Sequence, residues 1–75
     1  MITLYTGTGC HLCEQARIIL DEVVGAGAYT VVNITGDPAL QASYGTRIPV
    51  VKNARGKEKG WPFSAGQIKR LAAED

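Results

Sequence analysis

The sequence predicts an α/β fold, a four-stranded mixed sheet flanked by helices in the order β-α-β-α-β-β-α. Three observations predict it. Runs rich in β-branched residues alternate with segments whose apolar residues recur every three or four positions. Gly and Pro punctuate the boundaries between these segments. Two cysteines, Cys10 and Cys13, fall where the first strand gives way to the first helix. With 75 residues the chain is expected to form one domain, residues 1–75, near the lower limit at which a core folds without staples.

Each element has its own signal. Met1-Ile2-Thr3-Leu4-Tyr5 reads as a strand and Thr6-Gly7-Thr8-Gly9 as a turn. Residues 10–24 read as a helix, because Leu12, Cys13, Ala16, Ile19, Leu20, Val23 and Val24 repeat at helical spacing. Gly25 and Gly27 stop it. Residues 29–34 are rich in β-branched residues and read as the second strand. Asp37 caps a short helix that Pro38 opens and that ends near Tyr44-Gly45. Ile48-Pro49-Val50-Val51 begins the third strand, Asn53 to Gly56 is a tight turn, and Lys57 to Trp61 is a fourth, antiparallel strand. Ser64 caps the last helix, with Gln67 at the capping-box position and Ile68, Leu71 and Ala72 as its apolar stripe. Helical crossovers between the first three strands imply that these run parallel.

Composition narrows the function. No apolar run approaches the roughly 20 residues that cross a bilayer, and no basic segment precedes an apolar one at the N-terminus. No membrane association and a cytoplasmic location are therefore expected. From Arg47 to Arg70 there are seven positive residues and one negative, Glu58, within a net charge of +1. Most of these cations read as guards of an exposed strand edge. Basic and aromatic residues do not interleave along one element, so no nucleic-acid partner is expected.

Cys10-His11-Leu12-Cys13 carries the chemistry. A bridge within four residues closes too short a loop to stabilise a fold by chain entropy. At the start of a helix, free N–H groups and the helix dipole favour an anion, so a thiolate is stabilised there. Spacing of three along a helix also brings both sulfurs to nearly the same side, within joining distance. These are the requirements of a dithiol that cycles between reduced and disulfide forms.

Element order and motif together resemble the thioredoxin fold in its smallest form, and the chain resembles a glutaredoxin-like protein over nearly all its length. The features that carry the resemblance are the Cys-x-x-Cys after the first strand, Ile48-Pro49 opening the third, and the Gly60-Trp61-Pro62-Phe63-Ser64 stretch before the last helix. The resemblance implies a thiol–disulfide oxidoreductase of electron transport and cell redox homeostasis. In it Cys10 attacks and Cys13 resolves the mixed disulfide. It implies a cis Ile48–Pro49 bond facing the cysteines, with Ile48 offering backbone groups to a peptide or to glutathione. Arg47 at the rim of that groove then pairs with a substrate carboxylate. Trp61 is divided between core and groove wall, and Ser64 with the following N–H groups is placed to hold an anion. Leu12 reads as an apolar lip beside the thiols. His11 has two readings: a cation that favours a Cys10 thiolate, or an exposed neutral ring.

Several positions depart from glutathione-using glutaredoxins. His11-Leu12 stands where Pro-Tyr is usual, no lysine precedes Cys10, Arg47-Ile48-Pro49 replaces Thr-Val-Pro, and Trp61-Pro62-Phe63 replaces a Gly-Gly pair. The use of glutathione is therefore open, and partners are either protein disulfides or glutathione. No cofactor is expected, glutathione entering as a co-substrate at most, and the chain is expected to be a monomer. A second reading is a soft-metal carrier, since two thiolates at this spacing suit Cu(I) or half a zinc site. Against it, the chain ends in a helix rather than a strand and has no second cysteine pair. A third reading is a redox-inert interaction module.

Overall fold

A computed structural model describes all 75 residues. Its elements are β1 (Thr3–Thr6), α1 (His11–Val23), β2 (Thr30–Asn33), α2 (Pro38–Tyr44), β3 (Val50–Lys52), β4 (Glu58–Gly60) and α3 (Ala65–Ala73). The order is the one the sequence predicts. The strands lie in one open sheet in the spatial order β2-β1-β3-β4.

The direction of β3 corrects the sequence reading. β1 and β2 are parallel, but β3 runs antiparallel to β1, with Tyr5 opposite Val50 and Thr3 opposite Lys52. The reason lies in α2. Seven residues rise only about 10 Å, too little to carry the chain back along the sheet as a parallel crossover does. The chain therefore re-enters beside the end of β1 and runs back. β4 follows antiparallel to β3, through the turn closed by Gly56 N–H to Asn53 O at 3.0 Å.

Side-chain alternation then builds two cores. Leu4 and Val51 face α1 and α3, where they meet Ala16, Leu20, Ile68 and Leu71. Tyr5 and Val50 face α2, where they meet Ile34, Tyr44, Leu40 and Ile48. The result is three layers, with α1 and α3 on one face of the sheet and α2 on the other. α1 ends as its sequence indicates, with Gly25 at φ +97, a left-handed conformation that glycine adopts without a Cβ clash. α3 starts at a complete capping box between Ser64 and Gln67.

Two polar groups tie the layers together. Asn53 is buried; its Oδ1 accepts from the N–H groups of Arg55 and Lys57, and its Nδ2 donates to Leu71 O at 3.1 Å. It thus closes the hairpin and fastens it to α3. Tyr44 stacks on Tyr5 with ring centroids 4.2 Å apart, and its hydroxyl donates to Glu58 Oε2 at 2.5 Å. The carboxylate acceptor, and then burial, hold the Tyr44 phenol well above the ordinary tyrosine range.

Two outcomes follow from this packing. Leu20 is fully buried, so Leu20→Ala should cost about 2–5 kcal/mol in urea unfolding, a large part of a small domain's stability. Tyr44 titrates higher folded than unfolded, so its contribution is complete below the unfolded value of 10.0 and is lost as pH rises above it. Tyr44→Phe should lower stability at neutral pH by about 1–2 kcal/mol and flatten the fall above pH 10, read by unfolding at a series of pH values. Tyr29, also raised by burial and by its bond to Asp21, keeps part of that fall.

Candidate functional site

The site is built at the junction of β1 and α1. After Thr6 the chain turns through Gly7, Thr8 and Gly9, and Cys10 N–H bonds Gly7 O at 3.3 Å. Gly9 has φ +73, again a left-handed conformation. Gly7 is required for a different reason: a Cβ there would lie 2.7 Å from Ile48 Cδ1. The turn that presents the cysteines is therefore in close contact with the loop before Pro49.

Cys10 is the N-cap of α1, with extended backbone, and its Sγ accepts from the Cys13 N–H at 3.2 Å. One of the free donors at the helix start is thus aimed at this sulfur. The sulfurs are joined as a disulfide, across a Cα separation of 5.3 Å within the usual bridging range. Cys13 is only 2% exposed, whereas Cys10 is half-buried. The first sulfur is therefore the more accessible of the two.

A cleft of about 280 Å³ opens on this disulfide. Its walls include Glu14 and Arg17 of α1 and Val31 and Asn33 of β2. A closed set of hydrogen bonds fixes its rim. Asn33 Nδ2 donates to Thr8 Oγ1 at 3.2 Å, Thr8 N–H donates to Thr35 Oγ1 at 3.0 Å, and Thr35 N–H donates to Asn33 Oδ1 at 2.8 Å. The end of β2 thereby holds the turn before Cys10. Sequence reading did not select Glu14, Arg17, Val31 or Asn33. Arg17 had one available signal, its position one helical turn after Cys13. The β2 residues had none until the sheet order was known.

The other predicted residues lie around the site in different ways. His11 opens α1, is exposed, and lies with Nε2 3.4 Å from Gln15 Nε2. Leu12 is 43% exposed, on the surface beside the cysteines in sequence. The Ile48–Pro49 bond is cis, as the resemblance implies, and the Trp61–Pro62 bond is cis as well. Pro49 is buried, and its carbonyl accepts from the Trp61 N–H at 3.0 Å. Ile48 N–H donates to Tyr44 O at 3.1 Å, so this donor is committed within the fold.

Arg47, Trp61 and Ser64 also have partners within the protein. Arg47 donates from Nε and Nη2 to Ser43 O, lies 3.6 Å from Glu58 Oε1, and sits 5.0 Å from the centre of the Tyr44 ring. Trp61 is half-buried against the main core and meets Phe63 edge-on. Ser64 Oγ accepts from Gln67 N–H, and Ser64 N–H donates to Gln67 Oε1. The structure thus brings Cys10 and Cys13 together in the cleft, while Arg47, Ile48, Pro49, Trp61 and Ser64 are not among its lining residues. A second hollow, about 300 Å³, lies between β4 and α3 beside Lys59 and Arg70 and is not lined by either cysteine.

Comparison with known proteins agrees with this fold. The family model Glutaredoxin-like domain (DUF836) matches residues 1–72. No curated protein matches the chain. The X-ray structure of the structural-genomics target XcR50 from X. campestris is 39% identical, with a TM-score of 0.86, over 100% of this chain and 99% of that one. The solution structure of XcR50 gives a TM-score of 0.84 at 39% identity, over 99% of this chain and 94% of that one. The solution structure of Ne2328 from Nitrosomonas europaea is 27% identical, with a TM-score of 0.68, over 92% of this chain and 86% of that one. With the fold, the Cys-x-x-Cys junction and a family model over residues 1–72 in agreement, this chain belongs to the glutaredoxin-like domain family.

Proposed function

We propose that the protein is a thiol–disulfide oxidoreductase in which Cys10 is the nucleophile and Cys13 the resolving thiol. The observation that carries this reading is the asymmetry of the pair. Cys10 is accessible, caps α1 and receives a backbone N–H on its sulfur, while Cys13 is buried one turn further in.

In the reduced protein, the Cys10 thiolate attacks one sulfur of a substrate disulfide. A Cys10–substrate S–S bond forms, and the other substrate sulfur leaves with the electron pair. The Cys13 thiolate then attacks Cys10 Sγ, the mixed disulfide breaks, and the second substrate thiolate is released. The protein keeps the Cys10–Cys13 disulfide and the substrate gains two electrons. An external thiol restores the dithiol by the reverse exchange. Such a cycle suits the cytoplasm, where thiol pools supply the reductant.

The site's charges act in both directions. The α1 N-terminus favours an anion at the Cys10 position, and Glu14 in the first turn opposes one. The soft-metal carrier reading has less support. The element order β-α-β-α-β-β-α is not the β-α-β-β-α-β order of the small copper carriers, and the one buried thiol is poorly placed to hand over an ion.

Two variants test the proposal. Cys10→Ser should abolish reduction of a disulfide substrate, and retained turnover would sink the assignment. Cys13→Ser should accumulate a covalent adduct at Cys10, seen as a mass increase that dithiothreitol removes. An adduct on Cys13 in the Cys10→Ser protein instead would reverse the roles.

A further inference from the structure

The two edges of the sheet differ. β4 carries Glu58 and Lys59 and follows Lys57, so its edge is guarded by charge. β2, the other edge, reads Thr30-Val31-Val32-Asn33 and carries no charge at all. Thr30, Val31 and Asn33 are exposed, Val31 at 39%. The N–H groups of Thr30 and Ile34 donate to Ile2 O and Thr6 O in the direction of β1. By alternation along the strand, the N–H and C=O groups of Val31 and Asn33 face the open edge. An uncharged open edge is the feature that proteins ordinarily suppress. Here it borders the cleft that contains the disulfide, since Val31 and Asn33 line the same space as Cys10.

The loop before Pro49 is differently disposed. Its Ile48 N–H is bonded to Tyr44 O, Arg47 is engaged by Ser43 and Glu58, and neither residue lines the cleft. On the opposite wall from β2, Arg17 and Glu14 take part in none of the three ion pairs of the molecule. Arg17 lies beside the Tyr29 hydroxyl and Glu14 one turn earlier on the same helix, so the wall across from β2 carries both signs of charge.

We propose that the substrate is a polypeptide whose extended, cysteine-bearing segment adds to the sheet at β2. The segment pairs with the backbone groups of Val31 and Asn33 and presents its sulfur to Cys10 at the end of the cleft. This rests on the exchange reading above and names its substrate class. Main-chain pairing supplies the affinity and alternate side chains enter the cleft, the usual division in strand addition. The Asn33 side chain, bonded to Thr8, couples the docked strand to the turn that carries Cys10.

The test uses the full-length Cys13→Ser protein and a short extended peptide whose single cysteine is activated with thionitrobenzoate. The Cys10 thiolate forms the bond to the peptide sulfur, and thionitrobenzoate leaves with the electron pair. Amide exchange is then followed by NMR in the free protein and in the adduct. Exchange at Val31 and Asn33 should slow by about tenfold or more in the adduct, the effect of gaining a strand hydrogen bond. A peptide N-methylated at the residues facing β2 should form the same adduct without that slowing. An adduct with protection confined to the Ile48–Pro49 loop, or with none, overturns docking at β2 and leaves the exchange chemistry standing. No adduct at all overturns the exchange chemistry. Slowed exchange at Val31 and Asn33 in the free protein that grows with concentration would show a second copy occupying this edge, and would also overturn the proposal.

Discussion

A single sulfur at the start of a helix sets the terms for the rest of the molecule. Cys10 Sγ receives the Cys13 N–H, and that geometry holds only if α1 begins at His11 and the turn before it is fixed. The helix is fixed from below by Ala16 and Leu20, both fully buried against β1 and α3. The turn is fixed from the side by Asn33 and Thr35, and from above by Ile48 against Gly7. The two cores, one on each face of the sheet, therefore converge on one junction. A change in either core reaches the sulfur through elements that pack and do not bend.

Much of this was legible in the sequence because local signals govern it. The helix caps, the Asn53–Gly56 turn and the apolar stripes of α1 and α3 follow from residue type and spacing, and the structure has them where they were read. The direction of β3 was not legible. Element order alone does not say whether a helix returns the chain, and α2 is too short to do so. Asn53 looked like an ordinary turn residue, yet its side chain joins the hairpin to α3 across a sequence separation of 18. The cleft was hidden for the same reason. Arg17 and Asn33 become neighbours of Cys10 only once β2 lies beside β1 and α1 covers their join.

The residues around Pro49 show how a resemblance and a structure contribute differently. The resemblance places Arg47 and Ile48 toward substrate. In the structure these residues also hold the fold together: Arg47 bridges the end of α2 to β4 through Glu58, and Ile48 closes the turn after Tyr44. Tyr44 is the centre of that group, with Tyr5, Arg47 and Glu58 all in contact with it. An arginine used in this way is a poor candidate for tuning by substrate charge.

Exchange at this site requires Cys10 and Cys13 to form a reversible two-electron couple. The most direct measurement is their redox equilibrium against a glutathione or dithiothreitol buffer series, read by mass spectrometry after thiol trapping. One sharp reversible transition between fully reduced and fully bridged protein is expected, at a potential between about −270 and −120 mV, the span of known exchange catalysts. A pair that forms no bridge at any poise, or that once bridged cannot be reduced by a dithiol, would contradict it.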